Sequence, residues 1–252
     1  MIRTLLSDEV WARIESVLPG KEGDPGRTAT DNRWFVEAVL WIGRTGCPWR
    51  DLPKAFGRWH TVYMRFSRWR RKGVWERVIH AVADETEIKH VLIDSTIVRA
   101  HQHSSGARKK RGPQALGRSR GRLTTKLHLA VDGAGRPLLL IATEGQVSDI
   151  LCANELVEHL RTGAVIADKG YDSNAFVKSI RTTRAKAVIP QRSNRKTKRR
   201  YSRVLYRTRN IVERFFSRIK HFRRVATRYD KLAGNYLAFA SLACAFGPLV
   251  RM

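Results

Sequence analysis

The sequence predicts a mixed α/β fold: a partly antiparallel sheet flanked by helices and preceded by a small all-α N-terminal domain. Three observations predict it. Residues 1 to about 88 place apolar residues at helical spacing, short β-type runs take over from His90, and helical stretches separate the later runs only after an initial hairpin. At 252 residues and 42% hydrophobic content, the chain is long enough to bury a core, as one large domain or as a large one with a small one.

The helices come first. Ser7 stands before DEVWARIESVLP and Asp31 before NRWFVEAVLWIGRTG, each an N-cap residue type followed by spaced apolar residues, and Gly and Pro close both segments. A third helix is expected from Trp59 to near Trp69, because Trp59, Val62, Tyr63, Phe66 and Trp69 form one apolar stripe. Arg65, Arg68 and Lys72 fall on its other side, where they would lie along DNA or form a merely solvated face.

The strands follow in the order VLID, LTTKLHLAV and PLLLIAT around the turn signal DGAGR, then AVIAD and KAVIP. Strand, hairpin, helix, strand, helix, strand, helix is an order that a ribonuclease-H-like layout fits. The expected division is a helical N-terminal domain at residues 1–88 and a catalytic domain at 89–252.

Lys and Arg number 49 against 22 Asp and Glu, and a surplus of 27 positive charges calls for a polyanionic partner, nucleic acid first. Solubility or membrane contact alone is the bland alternative. Residues 101 to 122, HQHSSGARKKRGPQALGRSRGR, form an acid-free basic loop that includes Arg108, Lys109, Lys110 and Arg111, and residues 191 to 203 repeat the pattern. Charged runs are usually solvated, but two such loops flanking candidate catalytic strands suit phosphate contacts better. No stretch reads as a signal peptide or a bilayer span, which implies a cytoplasmic, nucleoid-associated protein. Cys47, Cys152 and Cys244 form no C-x-x-C pair and read as reduced and inert.

Asp94 follows the apolar run VLI and Asp168 follows AVIA, so each is expected to emerge from the carboxyl end of a buried strand. An Asp in that position is more often a turn or cap residue. Glu213 carries a stronger signal: it is the only acid between Asp172 and Asp230, while residues 181–224 hold 17 Lys and Arg. A salt-bridge network would also explain it. At about 100° per residue, Tyr206, Arg209, Glu213 and Lys220 share one helix face, opposite Ile211, Phe215, Ile219 and Phe222. That composition suits a metal held against a DNA phosphate.

The segment YRTRNIVERFFSRIK resembles the Y-x-x-R-x-x-x-E-x-x-x-x-x-x-K signature of DDE transposases in the insertion-sequence-four and insertion-sequence-five superfamily, with all four fixed positions in agreement. Flanking segments resemble the fifth family: residues 25–69, PGRTATDNRWFVEAVLWIGRTGCPWRDLPKAFGRWHTVYMRFSRW, are similar to its amino-terminal domain, VLIDSTIVRAHQH to its first-aspartate segment and IADKGYDSNAF to its second.

This resemblance implies that Asp94, Asp168 and Glu213 ligate two Mg²⁺ ions, with Mn²⁺ as a substitute, while Tyr206, Arg209 and Lys220 support Glu213 or touch DNA. It implies hydrolysis at each transposon end followed by attack of the freed 3′-hydroxyl on target DNA; with one carboxylate triad per chain and two ends to join, a homodimer assembled on DNA is expected. A silent DNA-binding regulator and a nuclease without strand transfer stay open as alternatives. Asp172 reads as a helix cap, Asp132 as a turn residue, and His101 and His103 as DNA-facing or structural.

Overall fold

The computed structural model describes residues 3–26, 28–82, 87–106, 114–196 and 198–247. The chain divides into two compact units: residues 1–84, 101–111 and 218–252 form one, and residues 85–100 and 112–217 the other. The expected boundary was near residue 88, and the first segment of the helical unit ends at residue 84. The chain returns to the helical unit twice, at residues 101–111 and 218–252, and the second return carries an apolar helix that packs with the N-terminal helices.

In the helical unit, α1 (Asp8–Glu15) starts where Ser7 Oγ accepts the Val10 N–H at 3.3 Å, and α2 (Asn32–Thr45) where Asp31 Oδ1 accepts the Trp34 N–H at 2.8 Å. Both caps are the expected ones. Gly46 ends α2 in the left-handed region at φ 72°, a conformation that a side chain would strain. The third helix, α3 (Trp59–Arg71), buries Val62, Phe66 and Trp69 from its apolar stripe. The helix α4 (Val74–Val82) was not singled out in the sequence, although Val74, Trp75, Val78 and Ile79 repeat at helical spacing and are buried.

Two elements of this unit follow the sheet in sequence: α8 (Arg223–Ala226) packs on α2, and α9 (Ala233–Phe246) packs on α3 and α4. Apolar almost all round, α9 buries every residue from Ala238 to Phe246.

The sheet unit holds β1 (His90–Ala100), β2 (Gly117–Ser119), β3 (Arg122–Asp132), β4 (Pro137–Glu144), β5 (Ala164–Ile166) and β6 (Lys186–Val188). They lie in the order β2, β3, β1, β5, β6, with β4 also paired to β3. The pairs β1–β3, β2–β3 and β3–β4 are antiparallel, and β1–β5 and β5–β6 parallel. An antiparallel hairpin beside a parallel pair is the ribonuclease-H-like arrangement. The β3–β4 turn is fixed by Asp132, whose Oδ1 accepts the N–H groups of Ala134 and Arg136 at 2.9 and 2.8 Å while Arg136 Nε donates to Oδ2 at 2.6 Å.

Two expectations shift here. The segment after β4 is a short 3-10 turn (Asp149–Cys152) followed by irregular turns rather than a regular helix. Within the expected 101–122 loop, Gly117 to Ser119 already form β2 and β3 begins at Arg122, so Arg118, Arg120 and Arg122 stand exposed on a hairpin. Arg108, Lys109, Lys110 and Arg111 lie outside the described residues.

Candidate active site

Asp94 does not end its strand, as the apolar run VLI had suggested. It sits in the middle of β1, which continues to Ala100 because the antiparallel partner β3 accompanies it as far as Arg99 opposite Thr124. The parallel partner stops sooner, with Leu92 opposite Ile166. Asp94 lies two residues beyond that last pair on β1, whereas Asp168 lies two residues past the end of β5, where it N-caps a 3-10 turn (Lys169–Tyr171). Val91, Ile93, Val165 and Ala167 enter one apolar cluster, so by strand alternation Leu92 and Asp94 on β1 and Ile166 on β5 turn the other way, and the charge of Asp168 beyond β5 reaches Asp94.

The helix expected around Glu213 is divided. It runs as α6 (Arg203–Tyr206), a 3-10 turn (Arg207–Arg209) and α7 (Asn210–Ile219). A 3-10 turn advances about 120° per residue, so angular positions counted at 100° drift across it. Lys220 falls one residue past the end of α7, half-buried, and burial lowers its ammonium from the ordinary lysine value. Among the expected apolar positions Phe215, Ile219 and Phe222 are buried, as are Val212 and Phe216, whereas Ile211 is only partly covered.

Arg209 draws the carboxylates together. Its Nη1 donates to Asp94 Oδ2 at 2.9 Å, and its Nη2 pairs with Glu213 Oε1. Burial alone would lower the arginine, but Asp94 and Glu213, with Tyr206 and Asp168, hold it above its ordinary value. Burial likewise pushes Asp94 up to about 6, against the Ser95 N–H bond and Arg209, while the nearby charges of Asp168 and Glu213 add to the rise. Asp168 Oδ1 accepts the Gly170 N–H at 2.8 Å. Tyr206, half-buried, meets Tyr201 edge to face at 5.6 Å between centroids.

The three acids offer only oxygen donors, the chemistry a hard divalent cation takes. Among the described residues, no three His, Cys, Asp or Glu side chains are gathered as a metal cage. The cation between Asp94 and Glu213 is the protein's own guanidinium, so these two carboxylates already share one positive charge. The oxygen donors are of the type a hard divalent ion takes, but in this arrangement Asp94 and Glu213 are bound to Arg209 instead.

Asp172 is not the helix cap it resembles. Ser173 is the N-cap of α5 (Asn174–Thr182), and Asp172, its side chain fully buried, accepts the Arg192 N–H at 2.9 Å and Arg195 Nε at 2.7 Å and pairs with Arg199. Arg192 also donates to the carbonyls of Lys169 and Gly170. Part of the 191–203 loop is thus tied down beside Asp168 rather than free for phosphates. Three arginines at intervals of three and four residues, with Asp172 the acid nearest before them, were the available signal.

In the helical unit, Arg65 turns inward: its guanidinium lies 4.2 Å from the Phe35 ring centroid and 4.8 Å from that of Trp69, and it pairs with Asn32 Oδ1. Burial lowers it to about 10. Arg68 and Lys72 remain exposed. His101 packs against His103 and Tyr229 at 4.4 and 5.2 Å, and its backbone N–H donates to Arg228 O at 2.9 Å. The cysteines are unpaired, with Cys152 and Cys244 buried and all three thiols raised by burial. Among the described residues, no helix is long and apolar enough to cross a membrane.

Comparison with known proteins places this geometry. Residues 6–79 match the family model described as "Putative transposase of IS4/5 family", and residues 85–246 the model described as "Transposase DDE domain". The chain is 38% identical over 128 residues to "Putative transposase for insertion sequence element IS6501" of Brucella ovis, covering 49% of this chain and 96% of the relative. It is 30% identical over 149 residues to "Putative transposase for insertion sequence element IS402" of Burkholderia cepacia, covering 54% and 67%. Among solved structures, piggyBac transposase in a synaptic complex with hairpin DNA shares the fold at TM-score 0.54 and 13% identity, over 96% of this chain and 71% of that one. With a DDE domain matched across both aspartate strands and the Glu213 helix, this chain belongs to the DDE transposases of IS4/5 type.

Proposed function

We propose that this protein cuts transposon ends and joins them to target DNA, with Asp94, Asp168 and Glu213 as its catalytic acids. The observation that carries the reading is the convergence on Arg209: Asp94 and Glu213, 119 positions apart in sequence, share one guanidinium, and the charge of Asp168 is close enough to raise Asp94. Two Mg²⁺ ions held by these acids would stabilise the attacking and leaving oxygens of an in-line phosphoryl displacement. β1 carries Asp94, the turn after β5 carries Asp168, and α7 carries Glu213. If Asp94 and Glu213 took up a divalent cation, Arg209 would be free to pair with a DNA phosphate. Tyr206 and Lys220 are assigned to DNA contact or to support of Glu213.

The helical unit is assigned to end recognition, with Arg68 and Lys72 of the α3 region on phosphates. Because each chain has one acidic triad and an element has two ends, the working form is a dimer on DNA. End cleavage tests the reading. Asp94→Ala, Asp168→Ala and Glu213→Ala should each lower Mg²⁺-dependent cleavage of the element's terminal DNA about a thousandfold or more while end binding persists. Undiminished cleavage by one variant removes that residue from the site.

A further inference from the structure

Strand pairing does not fix Asp168, and the turn it caps, Lys169–Tyr171, is a three-residue 3-10 turn, a type whose own hydrogen bonds have poor geometry. A group that must hold a cation has to stay within about 0.5 Å of its place. Other residues of the sheet unit supply that hold. Tyr171 is fully buried in the apolar cluster with Val91, Ile93 and Val165, which anchors the far end of the turn. From beyond β6, Arg192 grips the rest: its backbone N–H donates to Asp172 Oδ2 at 2.9 Å, its Nη2 to Gly170 O at 2.9 Å and its Nε to Lys169 O at 3.3 Å. The guanidinium thus meets main-chain carbonyls, while the Asp168 carboxylate takes the Gly170 N–H at 2.8 Å. Little room is left there: a Cβ on Gly170 would stand 2.8 Å from Asp168 Oδ1.

We propose that Arg192 is a positioning residue for Asp168, holding the Lys169–Tyr171 turn so that the carboxylate is set for a cation. The inference rests on the reading of Asp168 as a metal ligand given above. A planar fork donating to two successive carbonyls fixes the orientation of the turn as well as its place, which the point charge of a lysine would not do. Asp172 completes the clamp: paired with Arg195 and Arg199, it holds the Arg192 backbone from a fully buried position. Arg192 thereby acts through the peptide groups that follow Asp168 and has no need to touch the cation. Altering a group one step removed from a metal ligand changes metal affinity or activity about 10- to 100-fold.

Mn²⁺ binding to the full-length protein, followed by electron paramagnetic resonance, tests the proposal, with circular dichroism confirming that each variant is folded. Arg192→Gln should weaken Mn²⁺ binding about tenfold or more and leave affinity for end DNA unchanged. The Mg²⁺ concentration for half-maximal end cleavage should rise by a similar factor, with the rate at saturating Mg²⁺ nearly kept. Arg192→Lys, which keeps the charge and loses the fork, should weaken Mn²⁺ binding as well. Gly170→Ala, whose methyl would displace the carboxylate with Arg192 still in place, sets the size of loss that a misplaced Asp168 produces. Unchanged Mn²⁺ affinity in whichever arginine variant is folded overturns the proposal. A loss of DNA affinity with Mn²⁺ affinity intact makes Arg192 a phosphate contact and overturns it too. Mn²⁺ binding that is absent from the unaltered protein, or indifferent to Asp168→Ala, overturns the metal-ligand reading and this inference together.

Discussion

Each unit pairs an arginine with acid, and the two pairings differ in what they leave over. In the helical unit Arg224 directs Nε and Nη2 at the two oxygens of Asp230, both at 3.0 Å, and gives Nη1 to the Cys47 carbonyl at 2.9 Å. The guanidinium lies 4.9 Å from the Phe239 ring centroid, and the paired side chains are only 6% and 5% exposed. Charge and hydrogen bonds close on themselves. In the sheet unit, one guanidinium serves Asp94 and Glu213 with Asp168 beside them, and Glu213 is 52% exposed. Matched, buried charge holds a fold together, whereas an acid surplus open to solvent is free to take up cations.

The sharpest way to break this contrast is to remove one partner from each pairing. Arg224→Ala leaves Asp230 buried without its cation and should cost about 3–5 kcal/mol of stability, read as a lower denaturant midpoint. Glu213→Ala, at a half-exposed position, should change stability by less than about 1 kcal/mol. Equal losses would mean that both pairings are structural.

Acid should separate the units next. His128 is fully buried in β3, its Nε2 is 2.8 Å from Thr143 Oγ1, and burial holds it down at about 4, with Lys126 lowering and Asp149 raising it. Its native state prefers the neutral ring, so its contribution is complete above the unfolded value near 6.5 and is lost as pH falls toward 4. Stability should drop by up to about 3 kcal/mol across that window, and His128→Gln should flatten the profile. A profile unchanged by the substitution would show that the ring's burial does not govern acid sensitivity.

The smallest expected effect distinguishes two arginines of one helix. Arg65→Ala removes a guanidinium packed on Phe35 and Trp69 and should destabilise by about 1–2 kcal/mol. Arg68→Ala should leave stability unchanged and lower the salt slope of DNA binding by about 1. If Arg65→Ala shifts the slope instead, its ring contacts give way to DNA.

Local features were the legible ones. Ser7 and Asp31 announced their helices because capping is decided within four residues, and the hairpin was readable because Asp132 and glycine are confined to one turn. The strand sequence gave the sheet's layout, and the spacing from Tyr206 to Lys220 singled out Glu213. Long-range partnerships were less legible. Nothing near Asp172 says that it binds Arg195 and Arg199 rather than capping α5, and nothing near Arg65 says that Phe35 receives it. The length of β1 beyond Asp94 depended on β3, a partner some 30 residues away. The return of α9 to the N-terminal helices involves the longest separation of all.

That return has a consequence for the order of synthesis. Helices α1 to α4 are made first, yet the apolar surfaces of α3 and α4 await α9, which follows the whole sheet in sequence. At about 5–20 residues per second, the 150 residues between α4 and α9 keep those surfaces uncovered for about 8–30 seconds on the ribosome. The unit begun first is completed last, so the nascent chain passes through a stage in which its sheet can close while the face of α4 that packs on α9 is still uncovered. A chaperone that holds nascent apolar surface would act on this protein during that interval, and a message truncated before α9 would yield chains that aggregate.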